Sequence, residues 1–452
     1  MKYYFLIFLL IFLFNSSIKA QSGVLSLEDC IQIALKNNST ININRNLDYS
    51  SKEDVQGSYA GILPIIDLSA SSRRTEWGEQ EYEDDVPVGV DSAGNYVYER
   101  RIRTQPAGIR TSNGLNFGYT QNIFDGGEWW QAINYAKSQK RSSDYNLESV
   151  INTTVLNVQE AFFDLLKQQK LLEVNQLAVT RSEDQLNKTQ KMFELGAVAK
   201  VDVYRSKVNL GNDKIQMLLQ ENAVLSAKHS LNLVMGQDPN TAIEIRPEFD
   251  LPGAFNNTDQ LYEQAKMINP DLKKGEEDVH SMDLSISRSY AVLWPTLRGS
   301  LNYTRSNDVI RRVYSGFKKN WYLSWGLSLN INFFNGFRDK VRIQKSKLAM
   351  RNAQETLEET KRNLKSNIIR YVDSFNSYLN IIKINEENLE AAKEEYRLAE
   401  ERYRIGSGTA LEVREAQVNL TQAEETLVAA QYNARMTQAN IEQLIGVIYT
   451  HM

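Results

Sequence analysis

Leu364-Lys365-Ser366-Asn367-Ile368-Ile369-Arg370-Tyr371-Val372-Asp373-Ser374-Phe375-Asn376-Ser377-Tyr378 lies inside a helical pattern that runs from Gly336 to Tyr403. Its apolar residues fall on two heptad rows. One row is Ile368, Phe375, Ile382, Leu389, Tyr396 and Tyr403; the other is Leu364, Tyr371, Tyr378, Ala392 and Ala399. Spacings that alternate between three and four put both rows on one stripe, the seam of a coiled coil. Charged helix formers such as Glu390, Lys393, Glu394 and Arg397 occupy the opposite, wet face. No proline follows Pro295, so nothing interrupts the helix. About 68 residues at a rise of about 1.5 Å make a rod on the order of 100 Å long. It ends at Gly406-Ser407-Gly408, and the chain returns as a second helix to Ile445.

This hairpin occurs twice. At an offset of 210 residues the first row becomes Val158, Leu165, Leu172, Val179, Leu186 and Phe193, all apolar. Gly406 becomes Gly196, Gly446 becomes Gly236, and Val418-Asn419-Leu420 becomes the identical Val208-Asn209-Leu210. Unrelated coiled coils share heptads but not glycines in register, so the chain is an internal duplication. Before the hairpins the offset is 231, with Ala34 and Asn38 matching Ala265 and Asn269, and Ile62-Leu63-Pro64-Ile65 matching Leu293-Trp294-Pro295-Thr296. The first copy therefore carries 21 extra residues.

Those residues fall between two short alternating segments. Ile66, Leu68 and Ala70 alternate with Asp67, Ser69 and Ser71; Leu115, Phe117 and Tyr119 alternate with Asn116, Gly118 and Thr120. Each reads as a strand with one apolar face and one polar face. In the second copy Leu297, Leu301 and Tyr303 alternate with Arg298, Ser300, Asn302 and Thr304. Leu323, Trp325, Leu327, Leu329 and Ile331 alternate with Ser324, Gly326, Ser328 and Asn330. The stretch from Ser72 to Asn113, with acidic Glu79–Asp85 and basic Arg100–Arg110, is expected to be a long polar loop.

Composition sets outer bounds. The chain has 452 residues, a net charge of −4 and mean hydropathy of −0.45, which favours no nucleic-acid partner. Beyond the N-terminus no apolar run is long enough for a transmembrane helix. Lys2, the apolar core Phe5–Phe14 and the polar stretch before Ala20 predict a secretory signal peptide over 1–20; a membrane anchor would need a longer apolar core. The lone Cys30 has no internal disulfide partner and reads as a small buried residue. The histidines, His229, His280 and His451, lack metal-ligand spacing, and no phosphate loop or nucleophile elbow is present. No enzyme and no cofactor is expected.

Four alternating segments at matched places in a duplication are the pattern of an outer-membrane barrel; a small soluble sheet is the alternative. Four strands cannot close a barrel, so membrane strands would be pooled between chains. At this point the chain resembles the TolC family of outer-membrane efflux proteins. The resemblance rests on Leu25-Ser26-Leu27-Glu28 with Ala34-Leu35, on Leu63-Pro64 and Trp294-Pro295, and on Phe124-Asp125-Gly126 and Phe334-Asn335-Gly336. It includes the turns Glu194-Leu195-Gly196 through Val201-Asp202-Val203 and Tyr403-Arg404-Ile405-Gly406 through Leu411-Glu412-Val413. It covers nearly all of the chain after the signal peptide.

The resemblance implies a mainly α protein with a membrane β-barrel, built from coiled-coil hairpins in two tandem repeats. Each chain of a homotrimer would give four strands to a 12-stranded barrel continuous with a periplasmic α-barrel. The first repeat is expected over 21–236, with strands at about 62–72 and 114–124 and a hairpin over 127–235. A linker follows over 237–257. The second repeat is expected over 258–446, with strands at about 295–305 and 321–334 and a hairpin over 336–445, then a tail over 447–452. The implied function is an exit duct in the outer membrane, extending into the periplasm. Its partners are outer-membrane lipids, a periplasmic adaptor (membrane fusion) protein and, directly or through that adaptor, an inner-membrane transporter; the system is efflux or type I secretion. A periplasmic adaptor, or a surface enzyme or adhesin using the 72–113 stretch, is the competing class.

By resemblance the helical turns form the duct entrance. Glu412, Glu415 and Asp202 would be its acidic residues, although carboxylates in a first helical turn also serve as caps. Tyr403, Asp202 and Arg404 would hold it closed, with Gly408 standing where the family pattern has an arginine. The tips Gly196, Ala197, Val198 and Ala199, and Gly406, Ser407, Gly408 and Thr409, would meet the adaptor; plain helix capping is their other reading.

Overall fold

The computed structural model describes residues 24–247, 253–255 and 257–446. The expected signal peptide and the 447–452 tail lie outside the described residues. The helices are α1 (Leu27–Asn37), α2 (Ser39–Ser58), α3 (Glu128–Glu194), α4 (Lys200–Val234), α5 (Thr258–Ile268) and α6 (Pro270–Ala291). They continue with a short α7 (Ile310–Tyr314), then α8 (Arg338–Arg404) and α9 (Ala410–Leu444). The strands are β1 (Ile65–Trp77), β2 (Gln80–Val90), β3 (Tyr96–Gln105), β4 (Gly108–Phe124), β5 (Thr296–Asn307) and β6 (Trp321–Asn330). Contacts divide the chain into two units. One holds residues to Ser50, Arg141–Asp278 and residues from Gln354; the other holds Ser51–Lys140 and Val279–Ala353. None of the described helices is long and apolar enough to cross a membrane.

In the second unit an antiparallel sheet runs β1-β4-β5-β6. Register lines up the apolar rows. Leu68 pairs with Phe117, Phe117 with Tyr303, and Tyr303 with Leu323; one level away lie Ile66, Tyr119, Leu301 and Trp325. These residues share one face because side chains alternate along a strand. That face is uncovered over much of its area: Leu68 is 70% and Trp325 78% exposed. The outer edges of β1 and β6 have no partner strand among the described residues.

The expected 72–113 loop is corrected by the structure. β1 and β4 extend into it from both sides, and β2 and β3 pair as a hairpin in its middle. The acidic and basic runs face each other across that hairpin, Asp85 opposite Arg100 and Asp84 opposite Arg101. Arg100 reaches Asp85 at 3.3 Å and Arg103 reaches Asp84 at 3.2 Å. These pairs are exposed and contribute little stability, at most about 1 kcal/mol each. What they supply is register, because a one-residue slip would misalign every charge. The turn is closed by Asp91, whose carboxylate accepts from the backbone N–H groups of Ala93 and Asn95.

The first unit displays the duplication directly. α3 and α8 are each 67 residues long, and α4 and α9 are each 35. The seam residues Val158, Leu165, Ile368 and Phe375 are fully buried. They centre two equivalent cores: Val158, Phe162, Leu165, Leu231 and Met235 in one, and Ile368, Val372, Phe375, Ile441 and Ile445 in the other. Helix α1 closes the first core with Cys30, Ile31 and Ala34. Its start is fixed by a capping box in which Ser26 and Asp29 satisfy each other's backbone N–H. Those hydrogen bonds from Ser26 hold the Asp29 carboxyl below its ordinary range.

Each return helix ends the same way. The N–H of Gly236 bonds the carbonyl of Leu233 and that of Gln237 bonds Asn232, a Schellman turn with Gly236 at φ +74°. A Cβ on Gly236 would also sit 2.7 Å from the backbone of Asn37. Beside it, the side-chain amide of Asn38 donates to the Val234 carbonyl at 2.8 Å. Its carbonyl oxygen accepts from the N–H groups of Thr40 and Ile41 at the start of α2. Asn269 repeats this, donating to Leu444 and accepting from Asp271 and Leu272.

One asparagine thus caps the start of one helix and the end of another. Asn38→Ala is expected to cost about 1–3 kcal/mol. Hydrogen exchange should show the amides of Thr40 and Ile41 losing protection. Asn38→Asp keeps the acceptor but not the donor and should fall between the two; equal protection in all three proteins would refute the double-capping role.

Candidate functional site

The turns that join α3 to α4 and α8 to α9 share one backbone solution. Gly196 and Gly406 adopt φ of +75° and +81°, and each turn is a Schellman motif: Ala197 to Met192 with Gly196 to Phe193, and Ser407 to Arg402 with Gly406 to Tyr403. The residue before each glycine is apolar and projects into solvent, Leu195 at 83% and Ile405 at 71% exposure. That exposure was not anticipated from sequence, although the repetition of an apolar residue at this position was available as a signal.

After the glycine the two turns diverge. Thr409 caps α9 in a capping box: its hydroxyl accepts from the Glu412 N–H, and the Glu412 carboxylate accepts from the Thr409 N–H. The same carboxylate lies 3.6 Å from Arg402, whose guanidinium also donates to the Ser407 carbonyl. At the equivalent place α4 has Ala199, which offers no side-chain cap, and Asp202 instead faces Arg205 at 3.5 Å. Glu415 is exposed and has no side-chain partner among the described residues. Of the three expected acids, Glu412 and Asp202 are engaged within their own chain and Glu415 is free.

The residues expected to close the entrance are not brought together within one chain. Tyr403 is buried, and its hydroxyl lies 3.3 Å from that of Thr189 on α3. Arg404 is exposed, and the arginine that braces the turn is Arg402.

Further along the helices from these turns lies a group of ion pairs that sequence reasoning missed. Arg414 on α9 makes a two-pronged contact with Asp213 on α4, at 2.7 and 2.9 Å, and Ser182 of α3 donates to the same carboxylate. Arg181 on α3 pairs with Glu424 at 2.8 Å and bonds Thr421, both on α9. Lys188 on α3 pairs with Glu400 on α8, and that hydrogen bond raises the lysine's pKa. The first two pairs are largely shielded from water. They tie the first hairpin to the second, and they have no counterpart at an offset of 210: Arg414 maps to Tyr204 and Arg181 to Ala391.

The arrangement is a pair of helical tips with solvent-facing apolar residues and carboxylates in the first turns of α4 and α9, on hairpins joined by ion pairs. Among the described residues it brings together no nucleophile and base, and its exposed apolar tips are suited to contact. A model of the family described as outer membrane efflux protein matches residues 30–237 and 261–447. The chain is 23% identical over 340 residues to outer membrane protein TolC of Vibrio cholerae, which covers 75% of this chain and 77% of that protein. It is 20% identical over 426 residues to the probable efflux pump outer membrane protein TtgC of Pseudomonas putida, covering 93% and 83%. The crystal structure of the outer membrane protein VceC of Vibrio cholerae matches with a TM-score of 0.75 at 16% identity, over 93% of this chain and 96% of that one.

The shielded Arg414–Asp213 pair gives a direct test of how the hairpins are joined. Arg414→Met strands a carboxylate away from water and is expected to cost about 2–3 kcal/mol. Arg414→Met/Asp213→Leu should recover most of that loss in thermal or urea unfolding followed by the helical signal. Equal stability of the single variant and the wild type would show that the pair carries no net weight.

Proposed function

Because the chain belongs to the outer membrane efflux protein family, we propose that three copies of it form a passive exit duct that receives its cargo from a periplasmic adaptor and an energised inner-membrane transporter. The protein is an outer-membrane channel of efflux systems, not an enzyme. The observation that carries the proposal is the β1-β4-β5-β6 sheet, with one coherent apolar face and two unpaired edges. In lipid every backbone N–H and C=O needs a partner, so open edges must meet further strands. Joining the β1 edge of one copy to the β6 edge of the next satisfies both and closes the barrel.

The repeats fit the same reading. The tips 196–199 and 406–409 meet the adaptor, with small residues allowing close approach and Leu195 and Ile405 supplying apolar contact. Glu415, Glu412 and Asp202 make the entrance acidic, and rings of like charge favour cations. Tyr403 is committed to Thr189 of its own chain. Asp202 already faces Arg205, so of the three residues expected to close the entrance Arg404 is the one left to act between copies.

Conductance of the purified full chain in planar bilayers tests this. A cation-preferring conductance is expected. Glu415→Gln should reduce the preference more than Glu412→Gln, because the Glu412 charge is already shared with Arg402 and the helix start. A preference unchanged in both variants would place selectivity elsewhere. Absence of conductance, with the protein recovered outside the outer-membrane fraction, would overturn the duct and favour an adaptor.

A further inference from the structure

Arg305 continues the apolar row of β5, after Leu297, Leu301 and Tyr303, yet it is an arginine and is 0% exposed. No carboxylate among the described residues pairs with it. Its Nη2 lies 2.8–3.3 Å from the carbonyls of Arg312, Ser315, Gly316 and Lys319, and the Phe317 ring stacks on the guanidinium at 4.4 Å. The neighbouring position on the same face of β4, Asn113, is also buried and donates to the carbonyls of Asn307 and Asp308. Two buried donors therefore fold the β5–β6 connection down over the apolar face of the sheet. This happens at the strand ends remote from those that lead into α3 and α8.

The outer surface of that connection is strongly basic. Arg311, Arg312, Lys318 and Lys319 are exposed and form no ion pair among the described residues, and Asp308 is the one acid between Arg305 and Trp321. Interspersed with them, Ile310, Tyr314 and Phe317 are exposed. Just below, Tyr303 and Trp321 stack with ring centroids 6.1 Å apart, where an aromatic belt would meet the membrane surface. Cations and exposed apolar side chains therefore share one surface, next to an aromatic pair at the ends of β5 and β6.

We propose that the β5–β6 connection is a docking surface for phosphorylated lipid headgroups of the outer leaflet, with Arg311, Arg312, Lys318 and Lys319 as the headgroup ligands. Arg305 is a positioning residue that pins the connection against the lipid-facing wall. The proposal rests on the reading of the sheet as part of a membrane barrel. A lipid is favoured over a soluble phosphate compound because the cations lie at the margin of the exposed apolar face and share their surface with Ile310 and Phe317.

The test uses the full chain in phosphatidylcholine vesicles with and without diphosphoryl lipid A. After detergent extraction, mass spectrometry measures the ratio of retained lipid A to phosphatidylcholine against the bulk ratio. Each engaged cation is worth about fivefold, so the wild type should enrich lipid A at least about tenfold, and less at high salt. Arg311→Gln/Arg312→Gln/Lys318→Gln/Lys319→Gln should bring the ratio close to bulk. Arg311→Gln/Lys318→Gln, which leaves half of the cations, should be intermediate and serves if the fourfold variant inserts poorly. A protein that inserts and conducts but enriches lipid A equally in the wild type and the variants overturns the docking surface and leaves the duct intact. Failure of the wild type to insert or conduct counts against the barrel reading and the docking surface with it. Full release of lipid A by millimolar inorganic phosphate in low-salt buffer, with no release by matched sodium chloride, would assign the site to soluble phosphate and overturn the lipid.

Discussion

The carbonyl groups at the end of a long return helix have no partner within the helix, and in both repeats an asparagine from a distant part of the chain takes one of them. Asn38 holds the end of α4 and the start of α2 with one side chain, and Asn269 does the same for α9 and α6. Fixing that junction sets where α1 and α5 lie against the return helices. The two cores around Phe162 and Phe375 then form on the same plan. At the far end of each hairpin a glycine turn of the same kind joins the two helices.

The sheet meets the same demand differently. Helices satisfy their backbone internally except at their ends, whereas the sheet leaves a whole strand edge open on either side. Its apolar face is likewise uncovered, with Trp325 and Leu327 pointing away from any core. A sheet of this kind is incomplete as a single chain in water, and the proposed assembly of copies in lipid would complete it. The helical unit can be understood within one chain; the strand unit is best understood as a fraction of an assembly.

Much of this was legible in the sequence because duplication repeats information. A single alternating segment such as Ile66–Ala70 is ambiguous, but the Leu-Pro and Trp-Pro strand starts and the paired glycines constrain each other across the two copies. The β2–β3 hairpin was misread for the opposite reason. It lies in the inserted part of the first copy, has no counterpart to compare with, and its acidic and basic runs each resemble a solvated loop until they are set side by side. The Arg414–Asp213 contact was hidden because its partners are 201 residues apart in sequence and neither is repeated. Glu412 was legible as an acid near the turn, but its tie to Thr409 and Arg402 depends on side-chain positions that spacing does not report.

Cys30 sits at 0% exposure in the first helical core, and burial pushes its thiol pKa up to about 12. At neutral pH far less of it is ionised than of an exposed cysteine. Maleimide and disulfide reagents act on the thiolate and must reach it, so buried Cys30 is a poor target in the folded chain. A thiol introduced at Leu195 or Ile405 would be the reactive one, and spin labels or fluorophores could be attached at the tips without first altering the core.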